Sequence, residues 1–85
     1  MNTPIGVGQL VGQIKDLLEQ SARLHDVLLQ GEISNFVRAT SGHCYFTLKD
    51  DRGKLDCVLW RRDALLLPRL PQNGQQVILH GYVSL

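Results

Sequence analysis

The spacing of apolar residues along the chain changes near Asp26. Before that point, apolar side chains recur three and four residues apart, which predicts an amphipathic helix over about residues 5–20. Thr3 and Pro4 are its predicted start, because threonine caps helices and proline is favoured in their first turn. The apolar stripe of this helix consists of Val7, Leu10, Val11, Ile14, Leu17 and Leu18.

After Asp26, extended segments alternate with turn residues. The pattern predicts strands at about residues 26–38, 43–49, 54–60 and 76–85. Glycine-containing turns separate most of them, at residues 40–42, 50–53 and 73–74. A short helix is predicted from Arg61 to Leu67, where Pro68 would end it.

Three meandering strands, a helical link and a fourth strand form the layout of an OB-fold. We therefore predict a mainly β, α+β chain: an OB-fold-like antiparallel barrel preceded by an N-terminal amphipathic helix. The 85 residues suffice for one small domain with a modest core. An OB-fold has five strands, so the fifth strand is expected to be missing from this sequence.

Registering the two predicted hairpins assigns side chains to two faces. We pair Arg38 with His43 and Lys49 with Lys54, and let side chains alternate along each strand. The inner face then carries the nearly all-apolar set Ile33, Val37, Cys44, Phe46, Leu48, Leu55, Cys57 and Leu59. The outer face carries Phe36, Arg38, His43, Tyr45, Lys49, Lys54 and Trp60.

This assignment has alternatives. Asn35 falls on the inner face, which hints at a β-bulge nearby, and a slip of one residue would exchange the faces. Phe36 and Tyr45 could instead pack beneath the N-terminal helix, and Trp60 could serve packing instead of binding. His43 could be an ordinary surface residue.

Aromatic side chains beside basic ones on an open sheet favour single-stranded nucleic acid. Bases stack on aromatic rings without regard to sequence, and basic side chains neutralise phosphates. The net charge of the chain is only +1. Residues 33–62, however, hold six basic and three acidic residues (+3), against three and five elsewhere (−2). We predict a site on the outer face with Arg61 and Arg62 at its rim.

Other chemistry is poorly supported. Cys44 and Cys57 form no CxxC pair, and His25 and His80 have no partners at metal-ligand spacing, so neither a metal nor another cofactor is expected. An aspartate at position 50 is typical of a turn and indicates no acid–base role. The sequence shows no signal peptide or membrane-spanning stretch, which favours the cytoplasm.

Two segments carry a more specific resemblance: Gly31–Phe36 and Ser41–Asp50. Together with Cys57–Trp60 and Asn73–Gly74, they closely resemble the N-terminal domain of exodeoxyribonuclease VII large subunits. The resemblance extends over nearly the whole chain, including the N-terminal helix with its Val7–Leu10 segment.

The resemblance implies an enzyme that degrades single-stranded DNA to short oligonucleotides from both ends, as a complex of a large subunit with several small subunits. The N-terminal OB domain of that family is thought to bind the DNA. The catalytic and small-subunit-binding regions lie further along the large subunit, so these 85 residues are expected to be a non-catalytic fragment.

Two other functions remain open. The chain could be a subunit-interaction or oligomerisation module, because a sheet lacking a strand has an open edge that pairs with other chains. A homodimer or strand exchange would then be expected. The chain could also be a nuclease itself, although it offers neither a nucleophile beside a base nor a metal-ligand cluster.

Overall fold

The computed structural model describes residues 3–85, and within that range it contains a four-stranded sheet and an N-terminal helix. The strands lie in the order β3-β2-β1-β4, with antiparallel β1–β2 and β2–β3 pairs. The predicted OB-fold-like α+β class is thereby confirmed. The elements are α1 (Val7–Gln20), α2 (Ala22–His25), β1 (Val27–Arg38), β2 (Cys44–Lys49), β3 (Lys54–Leu59), α3 (Arg61–Ala64) and β4 (Gln76–Gly81).

Residues 3–29 and 79–85 belong to one compact unit, which contains α1 and α2. Helix α1 begins at Val7 with Gly6 as its N-cap, so the predicted cap at Thr3 was wrong. The side chain of Gln9 explains the later start, because its Oε1 accepts the Gly6 N–H at 2.9 Å. This bond satisfies a donor that the first helical turn cannot pair internally.

The last residues of this unit leave the sheet earlier than predicted. Strand β4 ends at Gly81, so the prediction of a strand through Leu85 was wrong. The N–H of Val83 instead donates to the carbonyl of Leu24 at 2.8 Å, which takes this segment out of a strand ladder. Of the helices in residues 3–85, none is long and apolar enough to cross a bilayer.

The second unit, Gln30–Ile78, contains all five buried apolar residues that the described part of the chain has. Strand β2 alternates cleanly, with Cys44, Phe46 and Leu48 buried and the residues between them exposed or half-buried. Gly31 is buried against this strand. A Cβ there would lie 2.9 Å from both the Leu48 side chain and the Lys49 carbonyl oxygen, so only glycine allows the backbones to approach this closely.

A β-bulge interrupts the pairing of β1 with β2. Ser34 pairs with Thr47, but Val37, rather than Phe36, pairs with Tyr45. Asn35 is the extra residue and adopts a left-handed conformation with φ of 54°. Asparagine tolerates this conformation better than most residues with a Cβ.

The side chain of Asn73 compensates for the interrupted ladder. Its Oδ1 accepts the N–H of Phe36 at 2.9 Å, in the part of β1 where the register shifts. The turn at Asn73 is held close to β1 by a second bond, from the Gly74 N–H to the Ile33 carbonyl at 2.8 Å. Gly74 has a φ of 88°, as the predicted turn requires.

Candidate nucleic-acid interface

A row of apolar side chains crosses three strands on the outer face of the sheet. Tyr45 lies between Val37 of β1 and Val58 of β3, both of which pair with it directly. Trp60, two residues beyond Val58, is a diagonal neighbour of Tyr45, at a spacing of about 7–8 Å that aromatic side chains can bridge. These side chains remain exposed by 58% (Val37), 44% (Tyr45), 43% (Val58) and 46% (Trp60).

Tyr45 and Trp60 are not part of the buried core of the second unit. A residue that served only to pack the core would be buried, whereas both rings keep nearly half of their surface free. The pairings of Tyr45 with Val58 and of Lys49 with Lys54 are those that the sequence predicted.

His43 holds the end of this row in place. Its ring meets that of Trp60 edge to face, with centroids 5.2 Å apart. Its Nδ1 accepts the N–H of Arg61 at 2.9 Å, at the start of α3. His43 is half-buried, and through these two contacts it positions the Trp60 ring and the start of the following helix.

Two predicted members of the outer face lie on the other side of the sheet. The ring of Phe36 stacks on the buried Phe46, with centroids 5.9 Å apart. Arg38 pairs with the fully buried Cys44, so its side chain leaves the sheet on the inner side. The bulge at Asn35 is the physical reason, because one extra residue reverses the alternation of every side chain after it.

The same reversal brings Val37 to the outer face, although alternation without a bulge assigned it to the core. The sequence did carry a signal for this change, since a polar Asn35 on the inner face was inconsistent with burial. The sequence did not show whether the predicted pairing of β1 with β2 would hold before Asn35 or after it.

The charges on the outer face largely balance one another. Lys49 pairs with Glu32 across β1 and β2, with the Nζ and Oε2 atoms 3.6 Å apart. On β3, Lys54 and Asp56 are both exposed, and Asp56 accepts the Thr47 hydroxyl at 3.3 Å. The strands thus offer apolar surface and hydrogen-bonding groups rather than a strongly positive field.

Positive charge is concentrated at one end of the sheet. Arg61 and Arg62 are exposed on α3, directly after Trp60. Arg38, Arg61 and Arg69 line a common depression beside the turn that joins β1 and β2. Arg69 was missed from the sequence, because nothing in its local pattern indicates that the chain after α3 returns to Arg38.

The remaining candidate groups serve the fold. Asp50 accepts the N–H groups of Arg52 at 2.8 Å and Gly53 at 2.9 Å, as turn chemistry predicts. Burial, opposed by a backbone hydrogen bond at Leu48 and reinforced by Asp56, raises the pKa of the Cys57 thiol. The thiol is therefore a weaker nucleophile than an exposed one. Between residues 3 and 85, no three His, Cys, Asp or Glu side chains are grouped to hold a metal ion.

The sequence of the chain is similar to those of known nucleic-acid-binding domains. Residues 5–85 match the family described as OB-fold nucleic acid binding domain. The chain is 43% identical over 84 residues to an exodeoxyribonuclease 7 large subunit of Ruminiclostridium cellulolyticum, covering 99% of this chain and 21% of that protein. It is 46% identical over 81 residues to the corresponding protein of Natranaerobius thermophilus, covering 95% and 19%. The chain thus spans about a fifth of the length of these curated relatives.

Proposed function

This chain belongs to the family of OB-fold nucleic acid binding domains, and from that premise we propose that its outer face binds single-stranded DNA. The predicted resemblance to the N-terminal domain of exodeoxyribonuclease VII large subunits is confirmed by identities of 42–46% to proteins of that name. The proposal concerns whether single-stranded or duplex DNA is bound, and which residues bind it.

The exposed row of Val37, Tyr45, Val58 and Trp60 carries the proposal. Neighbouring apolar side chains exposed on three adjacent strands and directly after β3, two of them aromatic, are typical of a binding surface. A nucleobase stacked on one of the two rings covers this surface, and each such stack contributes about 1–3 kcal/mol to binding.

The balanced charge on the β-strands favours the binding of single-stranded DNA over duplex DNA. Glu32 offsets Lys49 on this face, so binding there depends mainly on stacking. Duplex DNA hides the faces of its bases, whereas a single strand presents them. Lys54, Arg61 and Arg62 supply positive charge at the margins of the face, where the phosphates of a stacked strand would pass.

At the level of the whole enzyme, we propose that the chain is the DNA-binding part of an exodeoxyribonuclease VII large subunit. Such an enzyme hydrolyses single-stranded DNA to short oligonucleotides, and it acts in the cytoplasm. We assign catalysis and contact with the small subunit to other parts of that enzyme, and we assign DNA binding without cleavage to residues 1–85.

Titration of a labelled single-stranded oligothymidylate against the Tyr45→Ala variant tests the proposal. We expect the dissociation constant to rise by about 5- to 150-fold, which corresponds to the loss of one stack. Tyr82→Ala is a matched control, because Tyr82 is also exposed, by 63%, but lies outside the strands.

Circular dichroism first establishes that both variants are folded. If Tyr45→Ala binds with the affinity of the unmodified chain, or if both tyrosine variants lose affinity equally, stacking on this face is ruled out. A duplex of the same sequence should bind more weakly than the single strand, and equal binding would contradict the proposed preference. Cleavage of the labelled strand by the 85-residue chain would contradict the non-catalytic assignment.

A second function is favoured by the edge of the sheet at β3. Leu55 pairs with the buried Leu48 on the inner side of the sheet but remains 49% exposed. An additional strand paired with β3 would cover it, so the chain is also a candidate interaction module that dimerises or exchanges strands. Light scattering at increasing protein concentration tests this, and a constant monomer mass would exclude it.

A further inference from the structure

An open depression of about 210 Å³ lies beside the turn that joins β1 to β2. Arg38 comes from the end of β1, Arg61 from the start of α3, and Arg69 from the segment between α3 and β4. Gly42 and the apolar residues Ala64, Leu65, Leu67, Pro68 and Leu70 complete its lining. We call this depression the arginine pocket.

The position of Arg38 in the arginine pocket depends on the bulge. Without the extra residue at Asn35, Arg38 would leave the sheet on the outer face, beside Tyr45. With it, Arg38 pairs with Cys44 and leaves the sheet on the side of the buried residues. The bulge therefore removes one basic side chain from the stacking surface and adds it to a group of basic side chains.

Arg61 is held in place by two independent contacts. His43 Nδ1 accepts its N–H at 2.9 Å, which fixes the backbone. Its aliphatic chain lies flat over Gly42, where a Cβ would come within 2.9 Å of both Cγ and Cδ. A side chain whose stem is already ordered loses less conformational entropy when its guanidinium binds a ligand.

The charges of the arginine pocket are not neutralised within the described part of the chain. In residues 3–85, close contacts between basic and acidic side chains join Lys49 to Glu32 and His80 to Asp26, and none involves Arg38, Arg61 or Arg69. Three unneutralised guanidinium groups around one depression attract an anion, and their planar, forked donors suit phosphate oxygens.

We propose that the arginine pocket binds a single backbone phosphate of the DNA strand whose bases stack on Tyr45 and Trp60. This inference rests on the proposed function and adds a phosphate site to it. The two sites adjoin at His43, because its ring contacts that of Trp60 and its Nδ1 accepts the N–H of Arg61. A strand that leaves the Trp60 ring at this point reaches Arg61 first. The pocket thereby fixes where the strand leaves the stacking surface.

The salt dependence of binding tests the proposal, in the 85-residue chain carrying R38Q, R61Q and R69Q together. For a single strand, the slope of log K against log salt changes by about 0.7 for each phosphate neutralised. We expect the triple variant to have a slope about 0.7 shallower and a dissociation constant about tenfold or more higher. Arg52→Gln, in the turn between β2 and β3, removes one positive charge outside the arginine pocket and should change neither.

A strand with abasic sites separates the two parts of the proposal, because it keeps phosphates and lacks bases. On this strand, Tyr45→Ala should bind like the unmodified chain, while the triple glutamine variant should still bind more weakly. The triple lysine variant (R38K, R61K, R69K) guards against misfolding, since it retains charge and apolar stems. It should keep the salt slope and lose part of the affinity.

The outcomes distinguish failure of the pocket from failure of the proposed function. If Tyr45→Ala weakens binding but the triple glutamine variant keeps the salt slope and affinity, the pocket is excluded and the stacking surface stands. A slope change near 2 would mean that each arginine contacts a separate phosphate, which would also overturn the single-phosphate pocket. If neither variant affects binding, the proposed function itself fails.

Discussion

Because of the bulge, Phe36 packs on the inner face of the sheet and Val37 lies on the outer face. The Phe36→Ala variant tests this assignment. Its ring is half-buried and stacks on Phe46, 5.9 Å away between centroids. Removal of a fully buried phenylalanine costs about 3–5 kcal/mol, and the aromatic pair adds about 0.5–1.5 kcal/mol to its packing. Because Phe36 is only partly buried, we expect the free energy of unfolding to fall by about 2–3 kcal/mol.

A loss of this size is large for so small a domain. A stability of roughly 0.05–0.15 kcal/mol per residue gives an 85-residue chain about 4–13 kcal/mol in total. The melting temperature should fall by roughly 10–20 °C, since each kcal/mol corresponds to about 4–8 °C in domains of this size. Urea unfolding followed by circular dichroism measures the change directly.

The reciprocal variant, Val37→Ala, is the matched control. Val37 is 58% exposed, so its truncation should change the free energy of unfolding by less than about 1 kcal/mol. In DNA titrations of folded protein, Phe36→Ala should leave the affinity nearly unchanged, while Val37→Ala removes part of the surface beside Tyr45. If Phe36→Ala instead weakened DNA binding and left stability intact, Phe36 would be on the outer face and the assigned bulge would be refuted.

Three further predictions concern single positions. Asn35→Val should lower the free energy of unfolding by about 1–2 kcal/mol, because a β-branched residue is strained at a φ of 54°, whereas Asn35→Gly should be tolerated; urea melts compare the two. Gly42→Ala should destabilise the chain by more than about 1 kcal/mol, because φ is 93° and the new Cβ would collide with the Arg61 side chain, whereas Gly53→Ala, at a position with open space, serves as its control. Since burial raises the pKa of Cys57 above its ordinary value of 9.0, the unfolded chain loses this proton first, so stability should fall as the pH rises from about 9 towards the raised pKa. Melts across this range should show no such fall from this site in Cys57→Ala, and an equal fall in both proteins would assign it to another group.

The extent to which sequence predicted this structure differs between the two hairpins. The β2–β3 register followed from alternation alone, because buried Cys44, Phe46 and Leu48 leave one arrangement in which the core is apolar. In β1 the alternation is broken by a conformation that side-chain polarity does not specify. Asn35 indicated a break, but the direction of the slip is decided by contacts distant in sequence, among them the bond from Phe36 to Asn73.

The candidate site shows the same division. Tyr45, Trp60, Lys49 and Lys54 could be placed on the outer face from their positions in β2 and β3, although only the structure shows how Glu32 offsets Lys49. The arginine pocket could not be predicted, because it combines three separate segments of the chain and depends on the bulge. The use of the outer face and of the arginine pocket in DNA binding stays a prediction that the variants test.

The bulge at Asn35 also determines how β1 can be engineered. Before it, even-numbered positions such as Glu32 and Ser34 lie opposite outer-face residues of β2; after it, odd-numbered Val37 does. A library meant to alter ligand specificity should therefore randomise Ser34 and Val37 together and leave Phe36 fixed. A design that followed simple alternation would instead introduce polar residues into the core, and its failures would be mistaken for lost binding.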